Sequence, residues 1–180
     1  MHWLATAATL TFAVPVQGAQ NDPRLDPLFA ALSEAQTPED AAPIEQTIWK
    51  IWLLSGNGSV DADMLRGVQA MGINDNETAL EYFTKVVKAT PDFAEGWNKR
   101  ATVNYLIGRF DASVIDIQKT LALEPRHFGA LSGLALINLA LGREREALKA
   151  FEAAMRVHPN LPGASTHIRD LREKIRGKGI

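Results

Sequence analysis

Few residues in this chain have a type and spacing that could do chemistry. His127, His158 and His167 could in principle ligate a metal ion, but no two of them stand at the i, i+4 spacing that places two ligands on one helix face. No acidic residue accompanies them in the pattern. We interpret His127 and His158 as surface loop histidines beside prolines, and we predict neither a metal site nor a cofactor.

Patterns of covalent or acid–base catalysis are also missing from the sequence. It contains no Gly-x-Ser-x-Gly elbow, no glycine-rich phosphate loop before a helix, and no cysteine. The pairs Asp111 with Asp116 and Glu144 with Glu146 lie among lysines and arginines on predicted helix surfaces, whereas acid–base catalysis needs a shielded carboxylate. We therefore predict that the protein is not an enzyme.

The overall charge gives no reason to expect a nucleic-acid partner. The chain has 19 basic and 21 acidic residues, and its net charge is −2. Proteins that bind nucleic acid carry a basic surplus that neutralises phosphates. We therefore predict no nucleic-acid partner.

A 34-residue period organises the chain from residue 60 to residue 161. Pro91, Pro125 and Pro159 stand 34 residues apart and define three units, 60–93, 94–127 and 128–161. Apolar residues recur before each proline at spacings of three and four, which predicts one face of a helix. They are Leu80, Val114 and Leu148; Phe83, Ile117 and Phe151; Val87, Leu121 and Met155. Small or turn-forming residues recur at Asn74, Gly108 and Gly142 and at Ala79, Ser113 and Ala147. Each unit therefore reads as one helical hairpin.

These residues resemble the tetratricopeptide repeat (TPR) family. The resemblance rests on Trp97, Ala101, Tyr105, Gly108, Phe110, Ser113, Ile117 and Pro125, and on Leu131, Ala135, Gly142, Ala147, Phe151, Ala154 and Pro159. The first unit departs from the pattern, with Asn74 for the turn glycine and Asn76 in place of the aromatic. The resemblance implies an all-α, TPR-like helical-hairpin solenoid of three 34-residue repeats with N- and C-terminal capping helices.

If the repeats stack as in the family, the first helix of each unit lines a concave groove. The resemblance implies ten partner-binding positions there: Met64, Val68, Met71, Glu95, Asn98, Thr102, Tyr105, Ser132, Leu136 and Leu139. Such a lining suits an apolar or mixed peptide, or a helix. Some family members clamp a C-terminal carboxylate with lysine and asparagine. This chain has Asn98 and Thr102 at the corresponding places, so a chaperone-tail receptor is disfavoured.

Arg66 and Arg100 share one position in the repeat, where the family usually has an apolar residue. Either arginine could pair with Glu81 or Asp116 on a second helix, or it could present its guanidinium to a partner at the groove edge. Asn104 and Asn138 share another position, and we expect them to bridge helices.

The repeats are flanked by three further segments. Residues 1–18 lack charged side chains apart from the amino terminus and resemble a secretory signal peptide. Residues 19–59 form an N-terminal helical cap region, with helices predicted over 24–36 and from Thr37 or Pro43 to about residue 55. Trp49 and Trp52 lie one turn apart there; they either pack in the core or cap, or fill the groove. Residues 162–180 are predicted to be a C-terminal capping helix, from Ala164 to about Ile175, and a tail.

The function most consistent with these features is a non-catalytic protein–protein interaction module or scaffold in the bacterial periplasm. Its partner would be a protein or peptide, and no stable membrane span is expected after leader cleavage. Two alternatives stay open. One is a carrier of a small apolar ligand or lipid that uses Val68, Met71, Leu136 and Leu139, and the other is a self-associating architectural protein.

Overall fold

A computed structural model describes residues 19–177 and residue 179. The predicted signal peptide, 1–18, lies outside the described residues. In the described part of the chain the secondary structure is helical throughout, and no strand occurs. A 3₁₀ turn at Ala19–Asn21 is followed by α1 (Leu25–Glu34), α2 (Pro38–Trp52), α3 (Gly58–Gly72), α4 (Asn76–Ala89), α5 (Ala94–Leu106), α6 (Phe110–Leu123), α7 (Phe128–Ala140), α8 (Glu144–Val157) and α9 (Ala164–Gly177).

The predicted all-α solenoid of helical hairpins is confirmed. Helices α3 and α4, α5 and α6, and α7 and α8 pair as three hairpins, and each hairpin packs against the next. The turn inside each hairpin needs a left-handed backbone. Asn74, Gly108 and Gly142 have φ angles of 61°, 76° and 68°. Asparagine tolerates this region better than other residues with a Cβ, so the departure at Asn74 leaves the turn unchanged.

Close approach within the hairpins depends on the small residues that recur with the period. A Cβ on Gly67 would lie 2.6 Å from the ring of Phe83, so only glycine fits between α3 and α4. In the second hairpin the Ser113 hydroxyl donates to the Ala101 carbonyl at 2.7 Å. The first helices, α3, α5 and α7, therefore stay close to their second helices and form a layer of their own.

The N-terminal helices α1 and α2 form a hairpin that does not continue the repeat. Thr37 caps α2 by accepting from the Asp40 N–H, and α2 begins at Pro38 and continues through Pro43. Pro43 is the sixth residue of the helix, and because it has no N–H it cannot donate to the Glu39 carbonyl one turn earlier. Helix α1 ends at Glu34 and α2 at Trp52, slightly earlier than predicted.

This N-terminal hairpin packs against the third repeat hairpin. Leu25, Phe29, Ile48 and Trp52 share one core cluster with Phe128 at the start of α7. The link from α2 to α3 runs through Ser55, whose N–H and hydroxyl both donate to Asp61 at 2.6 Å. Helix α2 therefore lies against the layer of first helices.

Helix α9 packs on α8 at the C-terminal end of the solenoid. It buries Ala164, Ile168 and Leu171 and extends two residues beyond the predicted end. Among the described residues, none of the helices combines the length and apolar character that crossing a membrane requires.

Candidate functional site

The ten predicted groove residues divide among three places. Asn98, Thr102, Tyr105, Ser132 and Leu136 line one open cleft between α5 and α7. Met64 and Val68 line a second cleft beside the end of α2. Glu95 is buried, and Met71 and Leu139 are partly buried against neighbouring core clusters. The structure thus brings half of the predicted positions together at one cleft.

The cleft between α5 and α7, which we call the α5–α7 cleft, has a volume of about 250 Å³. Its walls carry no charged side chain: they are Asn98, Ala101, Thr102, Tyr105, Leu106, Ser113, Ile117, Gly129, Ser132, Gly133 and Leu136. The Thr102 hydroxyl donates to the Asn98 carbonyl in its own helix. Within residues 19–177 the hydroxyls of Tyr105 and Ser132 make no hydrogen bond, so both can bind a ligand's polar groups.

The other end of the α5 and α7 surface is covered by α2. Trp52 stacks on the His127 ring with a centroid distance of 4.1 Å, and Trp49 meets Phe128 edge-on at 5.3 Å. Gly129 lies directly under Trp49, because a Cβ there would be 2.6 Å from the indole ring. Trp52 packs in the core, as one predicted alternative has it, and both tryptophans also fill this end of the groove, as the other has it.

A polar network lies beneath the tryptophans. His127 Nδ1 accepts from the Ala130 N–H at 3.1 Å, which fixes the neutral ring with its proton on Nε2. That Nε2–H donates to Glu95 Oε2 at 2.9 Å, and Asn98 donates to the same oxygen at 2.8 Å. Lys99 Nζ lies 3.1 Å from the other oxygen. The buried carboxylate is therefore held from several sides.

These contacts set the ionisation of Glu95. Burial raises the pKa of its carboxyl, but Lys99, His127 and Asn98 together outweigh burial and hold the pKa below its ordinary value. Glu95 is therefore ionised at neutral pH. Its polar atoms serve the interior and face no open groove.

Three further polar contacts fasten the N-terminal hairpin to the repeats. His158 Nε2 lies 3.2 Å from Glu45 on α2, and Arg126 donates to Asp26 on α1 at 2.7 Å. Asn160 donates to the Ala35 carbonyl at 2.8 Å. The N-terminal hairpin is thus joined to the loop that contains Pro125 and to the loop that contains Pro159.

The interpretation of His127 and His158 as surface loop histidines is wrong, because both side chains are fully buried. Each also has an acidic partner, Glu95 or Glu45, that is distant in sequence. A signal for His127 was present, since it occupies the repeat position of Phe93, which is equally buried. Within the described residues no three histidine, aspartate or glutamate side chains are grouped so as to hold a metal ion.

A second cleft, the α2–α3 cleft, lies between the end of α2 and α3. It has a volume of about 420 Å³, and its lining is apolar except for Asp61. The lining residues are Leu53, Leu54, Gly58, Asp61, Ala62, Met64, Leu65 and Val68. Leu54 and Leu65 are each more than half exposed. This cleft offers apolar contact with little polar recognition.

Arg100 pairs with an acidic residue on the second helix of its hairpin, which was one of the two predicted alternatives. Its guanidinium binds both carboxylate oxygens of Asp116 at 2.7 and 2.8 Å, and Asn104 donates to the same carboxylate. Asp116 is buried, so its assignment to a helix surface is wrong. A guanidinium matches a carboxylate bidentately, so this pair ties α5 to α6.

The repeat equivalents of Arg100 and Asn104 behave differently. Arg66 is exposed and pairs at 3.0 Å with Asp63 on its own helix instead of with a second helix. Asn138 donates to the Leu134 carbonyl, also within its own helix, so the predicted bridge is absent there. The bridge forms in the second hairpin because only that hairpin places an acid, Asp116, opposite both side chains.

Comparison with known proteins agrees with this architecture. The family model described as tetratricopeptide repeat matches residues 64–120 and 108–164. A TPR repeat-containing protein of Rhizobium etli is 36% identical over 175 residues, which cover 96% of this chain and 86% of that protein. TPR domains are protein–protein interaction modules.

Two solved structures show the same fold at low sequence identity. MamA superposes with a TM-score of 0.62 and 22% identity, over 89% of this chain and 84% of that one. The first TPR of Spaghetti (RPAP3), solved with the HSP90 peptide SRMEEVD, also has a TM-score of 0.62, with 20% identity over 65% of this chain and 93% of that one. Because the family model matches residues 64–164 and the Rhizobium etli relative aligns with nearly the whole chain, this chain belongs to the tetratricopeptide repeat family.

Proposed function

We propose that this protein is a non-catalytic interaction module of the bacterial periplasm that holds a partner protein by a peptide or helix. The observation that carries the proposal is the α5–α7 cleft, which stays open beside a surface that α2 covers. A preformed cleft in a stack of helices needs little reordering when it binds. Binding would therefore leave the fold as it is.

The chemistry of the cleft favours an apolar anchor with a few hydrogen bonds. Leu136, Ile117 and the Tyr105 ring provide apolar contact, and the hydroxyls of Tyr105 and Ser132 provide polar contact. No lysine or arginine lines the cleft. The HSP90 peptide in the similar structure has three acidic residues in its sequence. The proposed partner segment is instead uncharged where it enters the cleft, since an unpaired charge would lose its hydration there.

Export is supported by the composition of residues 1–18, which resembles a cleavable leader. N-terminal sequencing of the protein from a periplasmic fraction tests this directly. A mature chain that begins near Ala19 is expected. An uncleaved chain recovered from the cytoplasm would reject the location and leave the binding role to be judged separately.

Site-specific photo-cross-linking in the native cell tests the binding role. A photo-reactive residue at Tyr105 is expected to give a discrete adduct with a partner protein. The control position is Lys119, which is exposed on α6. Adducts of equal yield from both positions, or only internal links from Tyr105 to α2, would count against a partner site in the cleft.

The α2–α3 cleft favours a second candidate function, a carrier of a small apolar ligand. Its volume of about 420 Å³ suits a small molecule, and nearly all of its lining is apolar. Native mass spectrometry of the purified protein tests this. A constant added mass that is lost in Val68→Asp would support a carrier, while an unliganded mass would leave the interaction module alone.

A further inference from the structure

Helix α9 occupies the place of the first helix of a fourth repeat. It follows α7 at the repeat distance and packs against α8 as α5 packs against α4 and α7 against α6. The residues that α9 packs against the solenoid stand 34 positions after residues of α7 that are buried or packed in core clusters. The matched pairs are Ala164 with Ala130, Ile168 with Leu134, and Leu171 with Ile137.

In the repeats, another face of each first helix is covered by its own second helix. Ala135 and Asn138 on α7 belong to that face, and both are buried. The residues 34 positions later are Arg169 and Arg172, and both are exposed. None of the described helices covers this face of α9, so the place of a fourth second helix stands open.

The open place is larger than the α5–α7 cleft and the α2–α3 cleft. It lies between α8 and α9 and has a volume of about 810 Å³. Met155 and Ile168 give it an apolar floor. Two helices that pack side by side leave a groove between them against which a third helix can pack.

The rim of this groove carries a surplus of positive charge. Arg156, Arg169, Arg172 and Arg176 line it. Glu152 and Glu173 are the only acidic residues among its lining, and Glu152 is already paired with Arg172 at 2.8 Å. Arg156 and Arg176 form no ion pair with a side chain of residues 19–177.

We propose that the α8–α9 groove binds an acidic amphipathic helix of a partner protein. The groove has the position and apolar floor that receive a helix in the repeats. Its arginines select negative charge at the positions where the repeats bury small or neutral side chains. A cap that only had to stay soluble would need polar residues there, but no surplus of one sign.

The probe for this proposal is a 14-residue peptide with the α8 sequence that carries Arg145→Glu, Lys149→Glu and Arg156→Glu and is held helical by a lactam bridge. It keeps the apolar face of a second helix and adds acidic residues. Two peptides serve as controls: the unaltered α8 sequence, and a scramble of the acidic peptide that has the same charge but no apolar face. Binding to the full chain is followed by fluorescence anisotropy.

We expect the acidic peptide to bind and both controls to bind at least about 10-fold more weakly. The double variant Arg156→Glu, Arg176→Glu should weaken binding about 10-fold, because it reverses two exposed charges. The matched control Lys88→Glu, Lys119→Glu reverses two exposed charges on α4 and α6 and should leave the affinity unchanged. These substitutions are on the surface, and circular dichroism verifies that the variants are folded.

Several results would overturn the proposal. The proposal is rejected if the acidic peptide does not bind, if its scramble binds equally well, or if the double variant binds the acidic peptide as tightly as the original chain does. Displacement of the peptide by phosphatidylglycerol vesicles would assign the groove to a lipid surface. Self-association by sedimentation that the double variant abolishes would assign it to a second copy of this chain.

Discussion

The surface formed by α5 and α7 is covered at one end and open at the other, although the two ends lie within about three helical turns of each other on α5. At one end, Glu95 and His127 are 1% and 0% exposed beneath the tryptophans of α2. At the other end Thr102 is exposed, and Tyr105 and Ser132 line an open cleft. The difference shows that the repeat makes a continuous surface, while the N-terminal hairpin decides which part of it can meet a partner.

The polar groups at the two ends differ in the same way. One carboxylate oxygen of Glu95 accepts hydrogen bonds from both His127 and Asn98, which lowers the cost of burying these polar groups. The Tyr105 and Ser132 hydroxyls have no such partner within residues 19–177. The covered end therefore serves stability, and the open end is the one available for recognition.

Removing Trp52 should have the largest effect, because its side chain is 1% exposed and packs on His127 and Phe128. We expect Trp52→Ala to lower the free energy of unfolding by about 3–5 kcal/mol, as for other large-to-small core changes. Urea unfolding followed by circular dichroism measures this. Leu54→Ala is the control and should cost less than about 0.5 kcal/mol because Leu54 is 58% exposed. Equal losses from both would mean that α2 is not docked on the repeats.

Replacing Glu95 should have the next largest effect, since it leaves Lys99 and His127 without their carboxylate. Glu95→Gln is expected to cost about 2 kcal/mol of unfolding free energy. The exposed Glu146→Gln should cost almost nothing. Urea unfolding at neutral pH compares the two variants.

The pH dependence of stability sharpens this prediction. The pKa of Glu95 lies below its ordinary value near 4.5 in the folded protein, so the unfolded chain binds more protons at acidic pH. The free energy of unfolding should therefore fall as the pH drops below about 5 towards the folded pKa. In Glu95→Gln this fall should be shallower. An unchanged slope would show that the carboxylate is not held by its neighbours.

Two glycines on α7 allow the two ends to be compared by the same substitution. Gly129→Ala places a Cβ 2.6 Å from the Trp49 ring and should cost about 1–2 kcal/mol. Gly133→Ala places its Cβ 3.5 Å from Ile117, an ordinary contact, and should stabilise the helix by about 0.5–1 kcal/mol. Thermal unfolding of both variants measures this. Changes in stability of opposite sign would support the division of the surface into a covered and an open end, and a stabilising Gly129→Ala would contradict it.

The smallest effect is expected at the exposed contact between Asp26 and Arg126. The Asp26 side chain is 83% exposed, and such ion pairs contribute little in water. Asp26→Asn should change the free energy of unfolding by less than about 0.5 kcal/mol, and added salt should remove even that difference. A larger loss in a urea titration would mean that this pair, more than the tryptophans, holds the hairpin.

Much of the solenoid could be predicted from the sequence, because equivalent contact residues recur at a fixed interval along the chain. Asn74, Gly108 and Gly142 mark the turns, and Gly67 marks a close approach to Phe83. The small and apolar positions follow from helix periodicity. These contacts are local to one unit or join adjacent units, so one sequence contains the pattern that specifies them.

The contact that buries His158 could not be predicted in this way, because His158 meets Glu45 on α2, 113 residues away. Helix α2 has no counterpart in the repeats, so the period does not say where it docks. Its two tryptophans indicated a packing face, but the surface that they cover became clear only from the structure.

Hydrogen exchange at the tryptophan indoles, measured by NMR, tests the docking of α2 most directly. The Trp52 indole N–H is buried, whereas the Trp97 indole donates to Pro91 at an exposed site. A docked hairpin predicts that the Trp52 proton exchanges at least about 1,000-fold more slowly than the Trp97 proton, at a rate close to that of the core amides. If Trp52 exchanges as fast as Trp97 while the amides of Ala101 and Ala135 stay protected, the hairpin leaves the groove, and the division into covered and open ends is wrong.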